Sequence, residues 1–221
     1  MKVWKRSLPV WLLTLVMLLT ACGTPSQPDQ PDGTETWREA YEETGAYLQA
    51  QTAPTAGSIG GEWAVIGLSR AGLLSDETAQ SYEQTVEDYV KQAGSVRLHH
   101  AKSTENSRTI LGLTAAGYNA ANVAGVDLTA GLTDMAYLRA QGTNGPIWAL
   151  IALDCHGYDI PQCADGEEQT TREGLVAEIL SYQCSDGGWA LMGDESDVDM
   201  TAMALTSLAP YQEETDVKAA V

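Results

Sequence analysis

The sequence predicts an all-α fold assembled from repeated helical hairpins. Three observations carry this reading. Apolar residues recur at three- and four-residue spacing through most of the chain, and no run of useful length alternates as a half-buried strand would. Breaks punctuate the helical stretches at Gly72, Gly117 and Gly157, 45 and 40 residues apart, and at Pro210, 53 residues further on. The stretches that run into these breaks are alike. Residues 111–118 read Leu-Gly-Leu-Thr-Ala-Ala-Gly-Tyr, residues 149–158 read Ala-Leu-Ile-Ala-Leu-Asp-Cys-His-Gly-Tyr, and residues 204–211 read Ala-Leu-Thr-Ser-Leu-Ala-Pro-Tyr.

Taken in order, the chain opens with a targeting segment over residues 1–22. Lys2, Lys5 and Arg6 precede a short apolar run, Val10 to Leu19, that is below membrane-spanning length and ends in Leu19-Thr20-Ala21-Cys22. Residues 23–36 are rich in Pro, Gly and polar side chains, cannot bury apolar area, and read as a disordered tether. From Trp37 the pattern turns helical, with Trp37, Tyr41, Gly45 and Leu48 on one face. Gly60 and Gly61 interrupt it, and Trp63 to Ala71 forms a compact apolar helix that stops at Gly72. Asp76 starts a polar helix that covers 78–93 and stops at Gly94. An apolar helix over 105–116 follows. Leu128 to Ala140 with Gly145 to His156, and then 170–183 with 197–209, repeat the polar–apolar pair. In each pair the Ala- and Gly-rich helix is expected inside and the polar one outside. Residues 216–221 look like the opening of another helix. Four pairs and a stub predict an unclosed flank, completed by further chain or covered by a partner.

The 221 residues carry a formal charge of −18, which excludes the basic patch that nucleic acid requires and electrostatic docking on anionic lipid. Phe is absent, so any cavity must draw its aromatic lining from Trp and Tyr. Beyond Cys22 the cysteines are Cys155, Cys163 and Cys184. Cys155 would pair with Cys163 across a short loop, or Cys163 with Cys184, and one thiol is left over in either case. Zinc held by Cys155, His156 and Cys163 is disfavoured, because adjacent residues rarely reach one ion. Asp186, Asp194, Glu195, Asp197 and Asp199 form an acidic rim without the spacing of a calcium loop, so no metal is expected. His99-His100 reads as bland surface. Trp63, Trp148 and Trp189 stand at comparable places near the starts of inner helices, where core packing accounts for them.

Several resemblances follow from these residues. Leu-Thr-Ala-Cys after a short apolar run resembles a bacterial lipoprotein signal, which implies a diacylglycerol thioether on Cys22 and an extracytoplasmic, membrane-anchored protein. Asp186-Gly187-Gly188-Trp189 and Asp197-Val198-Asp199-Met200-Thr201-Ala202 resemble motifs of the prenyltransferase and squalene-oxidase repeat, the unit of the α/α toroid, over residues 37–221. The second motif looks like the Asp-x-Asp-Asp-Thr-Ala acid motif of class II terpene cyclases. Asp199 takes the place of the general acid and Asp197 the first carboxylate, but Met200 replaces the last one, which depletes the cluster that would tune the acid. The alternative reading is helix capping by Ser196 or Asp197. The Asp, Cys and His zinc ligands of protein prenyltransferases have no counterpart in the helix over 197–209. An exported chain of this kind is similar to the helical domain of cobalamin carriers. The resemblance implies a ligand- or partner-binding module with no chemistry of its own, whose ligand is a corrinoid or another bulky or hydrophobic molecule. A cyclase-like enzyme and a cell-surface scaffold are the alternatives.

Overall fold

Nine α-helices and two short 3-10 segments make up the described residues, 33–51 and 53–221, of the computed structural model, and no strand occurs among them. The fold is all-α. Cys22, expected to carry the lipid, the expected targeting segment and most of the expected tether lie outside the described residues. The chain divides into two compact units, through Glu43 and from Thr44 to Val221. In the first, helix α1 (Gly33–Gln49) begins, four residues before the expected helix start at Trp37. Trp37 and Tyr41 meet edge to face at 6.4 Å, and both are exposed rather than forming a buried face.

The second unit contains α2 (Ile59–Arg70), α3 (Asp76–Ala93), α4 (Thr104–Ala115), the 3-10 turn η1 (Leu128–Leu132), α5 (Met135–Arg139), α6 (Asn144–Asp154), α7 (Arg172–Ser181), α8 (Val198–Leu208), the 3-10 turn η2 (Ala209–Tyr211) and α9 (Thr215–Ala220). The inner helices pack in chain order, α2 on α4, α4 on α6 and α6 on α8, while α7 packs on α6 and α9 on α7. α6 is apolar all round and buried, as a helix surrounded by others must be. Its close approach to the preceding segment requires Gly145, where a methyl group would overlap the Leu138 carbonyl.

The inner helices end alike because the same local chemistry stops them. Gly72, Gly117 and Gly157 adopt positive φ (68°, 87° and 63°), and the following N–H returns to a leucine carbonyl one turn back: Leu73 to Leu68 (2.8 Å), Tyr118 to Leu113 (2.9 Å), Tyr158 to Leu153 (2.8 Å). Leu68, Leu113 and Leu153 therefore set a common register, which Leu208 continues at the end of α8. Hydrogen bonds tie each inner helix to its successor in this register. Ser69 Oγ donates to the Ala115 carbonyl (2.6 Å), the Thr114 and Tyr158 hydroxyls pair at 2.8 Å, and Tyr211 donates to Asp154 Oδ2 (2.8 Å).

The segment expected as one helix over 128–140 is broken. Thr133 O accepts from Thr170 N (2.7 Å) and Met135 N donates to Glu168 O (2.8 Å), so a short bridge to the 168–170 strip draws the backbone out of helical geometry. Asp127 and Asp134 cap the two pieces. Cys155, Cys163 and Cys184 are free thiols and the anticipated Cys155–Cys163 link is not formed. Cys155 Sγ lies 3.1 Å from the Ala152 carbonyl and Cys163 Sγ 3.6 Å from that of Glu167, which directs them to different neighbours.

Tyr158 is the clearest test of the stacking, since its hydroxyl also accepts from the buried Ala120 N–H (3.2 Å). Tyr158→Phe should cost about 1–3 kcal/mol, because that N–H is left without a partner. Urea unfolding of the two proteins measures it, and an unchanged midpoint would contradict the assigned role.

Candidate functional site

The first turns of α2, α4 and α6 bring Trp63, Arg108 and Trp148 together. Each stands five residues ahead of its register leucine, Leu68, Leu113 or Leu153. With Thr104 and Asn144, one turn earlier on α4 and α6, they line a cavity of about 210 Å³. The Trp63 and Trp148 rings meet edge to face, with centroids 5.5 Å apart. Trp63 remains 41% exposed and Trp148 is half-buried, so both offer ring surface to a ligand. Trp189 is not their counterpart: it precedes α8, is fully buried, and donates from Nε1 to the Ile179 carbonyl at 2.7 Å. Met203 holds the corresponding place in α8.

An ion network positions the floor. Arg108 Nε donates to Glu62 Oε2 (3.2 Å) and Arg108 Nη2 to Glu105 Oε2 (2.7 Å). Glu62 is fully buried and its other oxygen accepts from Gly57 N (2.7 Å). Burial pushes the Glu62 carboxyl above the usual range, against the lowering effect of hydrogen bonds and the Arg108 charge. Tyr82, also fully buried, has a hydroxyl without a hydrogen-bond partner, and its pKa is raised by burial and then by the Glu62 charge. Gln141, from the loop before α6, caps α4: Oε1 accepts from Thr104 N (2.9 Å) and Ser103 Oγ (3.0 Å), and Nε2 donates to Thr104 Oγ1 (3.1 Å). Asn144 Oδ1 is unpartnered.

The lining residues offer aromatic surface, an amide, a hydroxyl and a guanidinium already balanced by two carboxylates. The Thr104 hydroxyl accepts from Gln141 Nε2. Arg108, Thr104 and Asn144 were missed by sequence reasoning. The signal available was the constant five-residue interval between Trp63, Arg108 or Trp148 and the leucine that ends each helix.

The acidic motif residues lie elsewhere and have structural partners. Asp186 accepts from Gly188 N (3.2 Å) and Ser196 Oγ (2.7 Å), and the Ser196 bond, followed by the Gly188 bond, holds its carboxyl below the usual range. Asp194 accepts from Ser185 N (2.8 Å) and Ser185 Oγ (2.9 Å). Asp197 is the N-cap of α8 and accepts from Met200 N (2.8 Å). Asp199 stands exposed on the first turn and Glu195 is exposed in the preceding loop. Gly187 takes φ 89°, and a Cβ on Gly188 would come within 2.6 Å of Ser196 Cβ. This stretch is a compact turn that seats Trp189 and starts α8. Among the described residues no group of three His, Cys, Asp or Glu side chains is placed to hold a metal ion. His99 and His100 stack on each other at 4.5 Å.

No family model, curated protein or solved structure matches this chain.

Glu62 makes the network pH-sensitive in a defined direction. A carboxyl whose folded-state pKa is raised favours the folded state most at acid pH, and that contribution declines as pH rises through the raised value. The stability of the wild type relative to Glu62→Gln should therefore fall as pH rises above the ordinary carboxylate range. Urea midpoints across that range measure it, and a pH-independent difference would contradict the assignment.

Proposed function

We propose that this chain is an exported, lipid-anchored α/α-toroid module that binds a bulky ligand against the first turns of its inner helices. The observation that carries the reading is the recurrence of Trp63, Arg108 and Trp148 at one register of three successive inner helices around a cavity. Repeated helices that present large, partly exposed side chains at a single register form a surface rather than scattered packing. Stacking of the inner helices in chain order supports the toroid. Anchoring rests on the Leu19-Thr20-Ala21-Cys22 segment, which resembles a lipoprotein signal. No helix among the described residues is long and apolar enough to cross a membrane.

The cavity is smaller than the roughly 300–1,000 Å³ of a pocket that encloses a drug-sized ligand. The site would grip one edge of a larger molecule and leave the rest outside. A corrinoid suits this mode: its amide-bearing rim can exchange hydrogen bonds with Asn144 and Thr104 while its edge lies on the tryptophans.

Titration of the full-length protein with cobalamin, followed by tryptophan fluorescence and thermal unfolding, tests the proposal. Saturable quenching and a raised melting temperature are expected, and Trp148→Ala should weaken binding about tenfold or more, roughly 1.4 kcal/mol. Neither quenching nor a shift with cobalamin would overturn the corrinoid assignment. Binding that survives both Trp63→Ala and Trp148→Ala would overturn the site.

A further inference from the structure

We infer that α8 carries a repeat-stacking face whose occupant is α2 of a second copy of this chain. The inference follows from the leucine register. Side chains ten, six and three residues before that leucine, and one after it, face the next repeat. On α2 and its cap these are Ser58, Glu62, Val65 and Ser69; before and along α4, Ser103, Ser107, Ile110 and Thr114; before and along α6, Thr143, Ile147, Leu150 and Asp154.

The side-chain bonds that these residues make beyond their own repeat go to the succeeding one. Glu62 pairs with Arg108 and Ser69 with the Ala115 carbonyl, both on α4. Ser103 bonds Gln141 just before α6, and Thr114 bonds Tyr158 just after it. Thr143 bonds the Ala190 carbonyl before α8 (2.8 Å), and Asp154 accepts from Tyr211 after it. The apolar members Val65, Ile110, Ile147 and Leu150 are fully buried.

The same four places around α8 hold Val198, Ala202, Leu205 and Ala209, an uninterrupted apolar stripe. All four are exposed, Val198 at 85% and Leu205 at 41%. Position for position this is the face that the three earlier repeats bury or half-bury, and among the described residues nothing covers it.

The chain also holds the complementary half. The face that receives a predecessor uses Gly112 and Ala115 on α4: a Cβ on Gly112 would lie 3.4 Å from Glu62 Cγ, and the Ala115 carbonyl takes the Ser69 bond. The equivalents on α2 are Gly67 and Arg70. Both are exposed, and a Cβ on Gly67 would meet nothing within 4 Å. A second copy can therefore continue the internal series, with its Gly67 on Ala202 and its Arg70 beside Ala209. Small side chains at Gly67 and Ala202 let the two helices approach as closely as α2 and α4 do. The exposed Glu213 and Glu214, shortly after Ala209, offer counter-charges to Arg70. Such a contact is head-to-tail, so it builds a ring or an open chain according to whether the rotation closes.

The test uses two full-length copies with different tags, one carrying Ala202→Cys and the other Gly67→Cys. Under mild oxidation the mixture should give a mixed disulfide dimer that neither copy forms alone and that the parent protein, with its native thiols, does not form. Adding Leu205→Glu to the Ala202→Cys copy should cut the adduct about tenfold, the scale of losing a central interface contact. Thermal unfolding of the Leu205→Glu protein checks that it is folded, and Val198→Glu provides a second disrupting variant. No mixed adduct, or an adduct that survives both charge substitutions in folded protein, would overturn the inference. These outcomes are independent of cobalamin binding, which reads the Trp63–Trp148 cavity.

Discussion

The stacking of one inner helix on the next constrains everything else in the second unit. An α-helix with small and apolar residues on most faces cannot remain in water, and here α4 and α6 are covered by neighbours on both sides in the series. The contact is not merely apolar. Ser69, Thr114 and Asp154 stand at the same register, and each makes a hydrogen bond to the following repeat. Sliding one helix by a single turn would leave these partly buried polar groups without partners, and the cost of unpaired groups fixes the register more sharply than burial alone could. The same stacking also supplies caps. α4 receives its cap from Gln141, which belongs to the next repeat, so the start of one helix is completed only when its successor is in place.

The candidate site grows from that register. Positions facing the next helix must be compatible with burial, and positions at the C-terminal ends must allow the chain to turn. The position five residues before the leucine is freer. It holds Trp63, Arg108, Trp148 and Met203 in turn, a set too varied for a single packing role. Glu62 shows the cost of building there, because a fully buried carboxylate is tolerated only with Gly57 N–H and Arg108 beside it. The Asp-Gly-Gly-Trp turn illustrates the opposite case. Its carboxylate closes a loop, its second glycine leaves room for Ser196 and Thr201, and its tryptophan fills the core.

Features fixed by local chemistry were legible in the sequence. Gly72, Gly117 and Gly157 end helices because the left-handed conformation they adopt is disfavoured for other residues, and that signal needs no tertiary information. The polar helix that starts at Asp76 and stops at Gly94 was visible for the same reason, while its cap, Ser75, was not singled out. The break at Asp134 was not, because it arises from pairing with residues more than thirty positions away. Nor were the orientations of Trp63 and Trp148. A tryptophan near the start of an apolar helix reads as core, and only the angular placement of α2 and α6 about α4 leaves these two partly open. The acidic residues were conspicuous in number, yet Asp186, Asp194 and Asp197 are engaged in turns and a cap.

Repeat architecture explains why conspicuous residues and site residues part company here. A residue that recurs in every repeat recurs because every repeat meets the same mechanical demand, and the leucine, the helix-ending glycine and the capping side chains answer that demand. Recognition needs asymmetry, since a ligand touches different repeats with different parts of itself. The chemistry must then lie where the repeats disagree while the backbone still agrees. Trp, Arg and Trp at one register of α2, α4 and α6 meet that condition. The stripe on α8 does not: it holds small and apolar residues at places whose counterparts pack against a following helix, and it is exposed. The proposed readings make the first pattern a surface for a foreign molecule and the second a surface for more of the same fold.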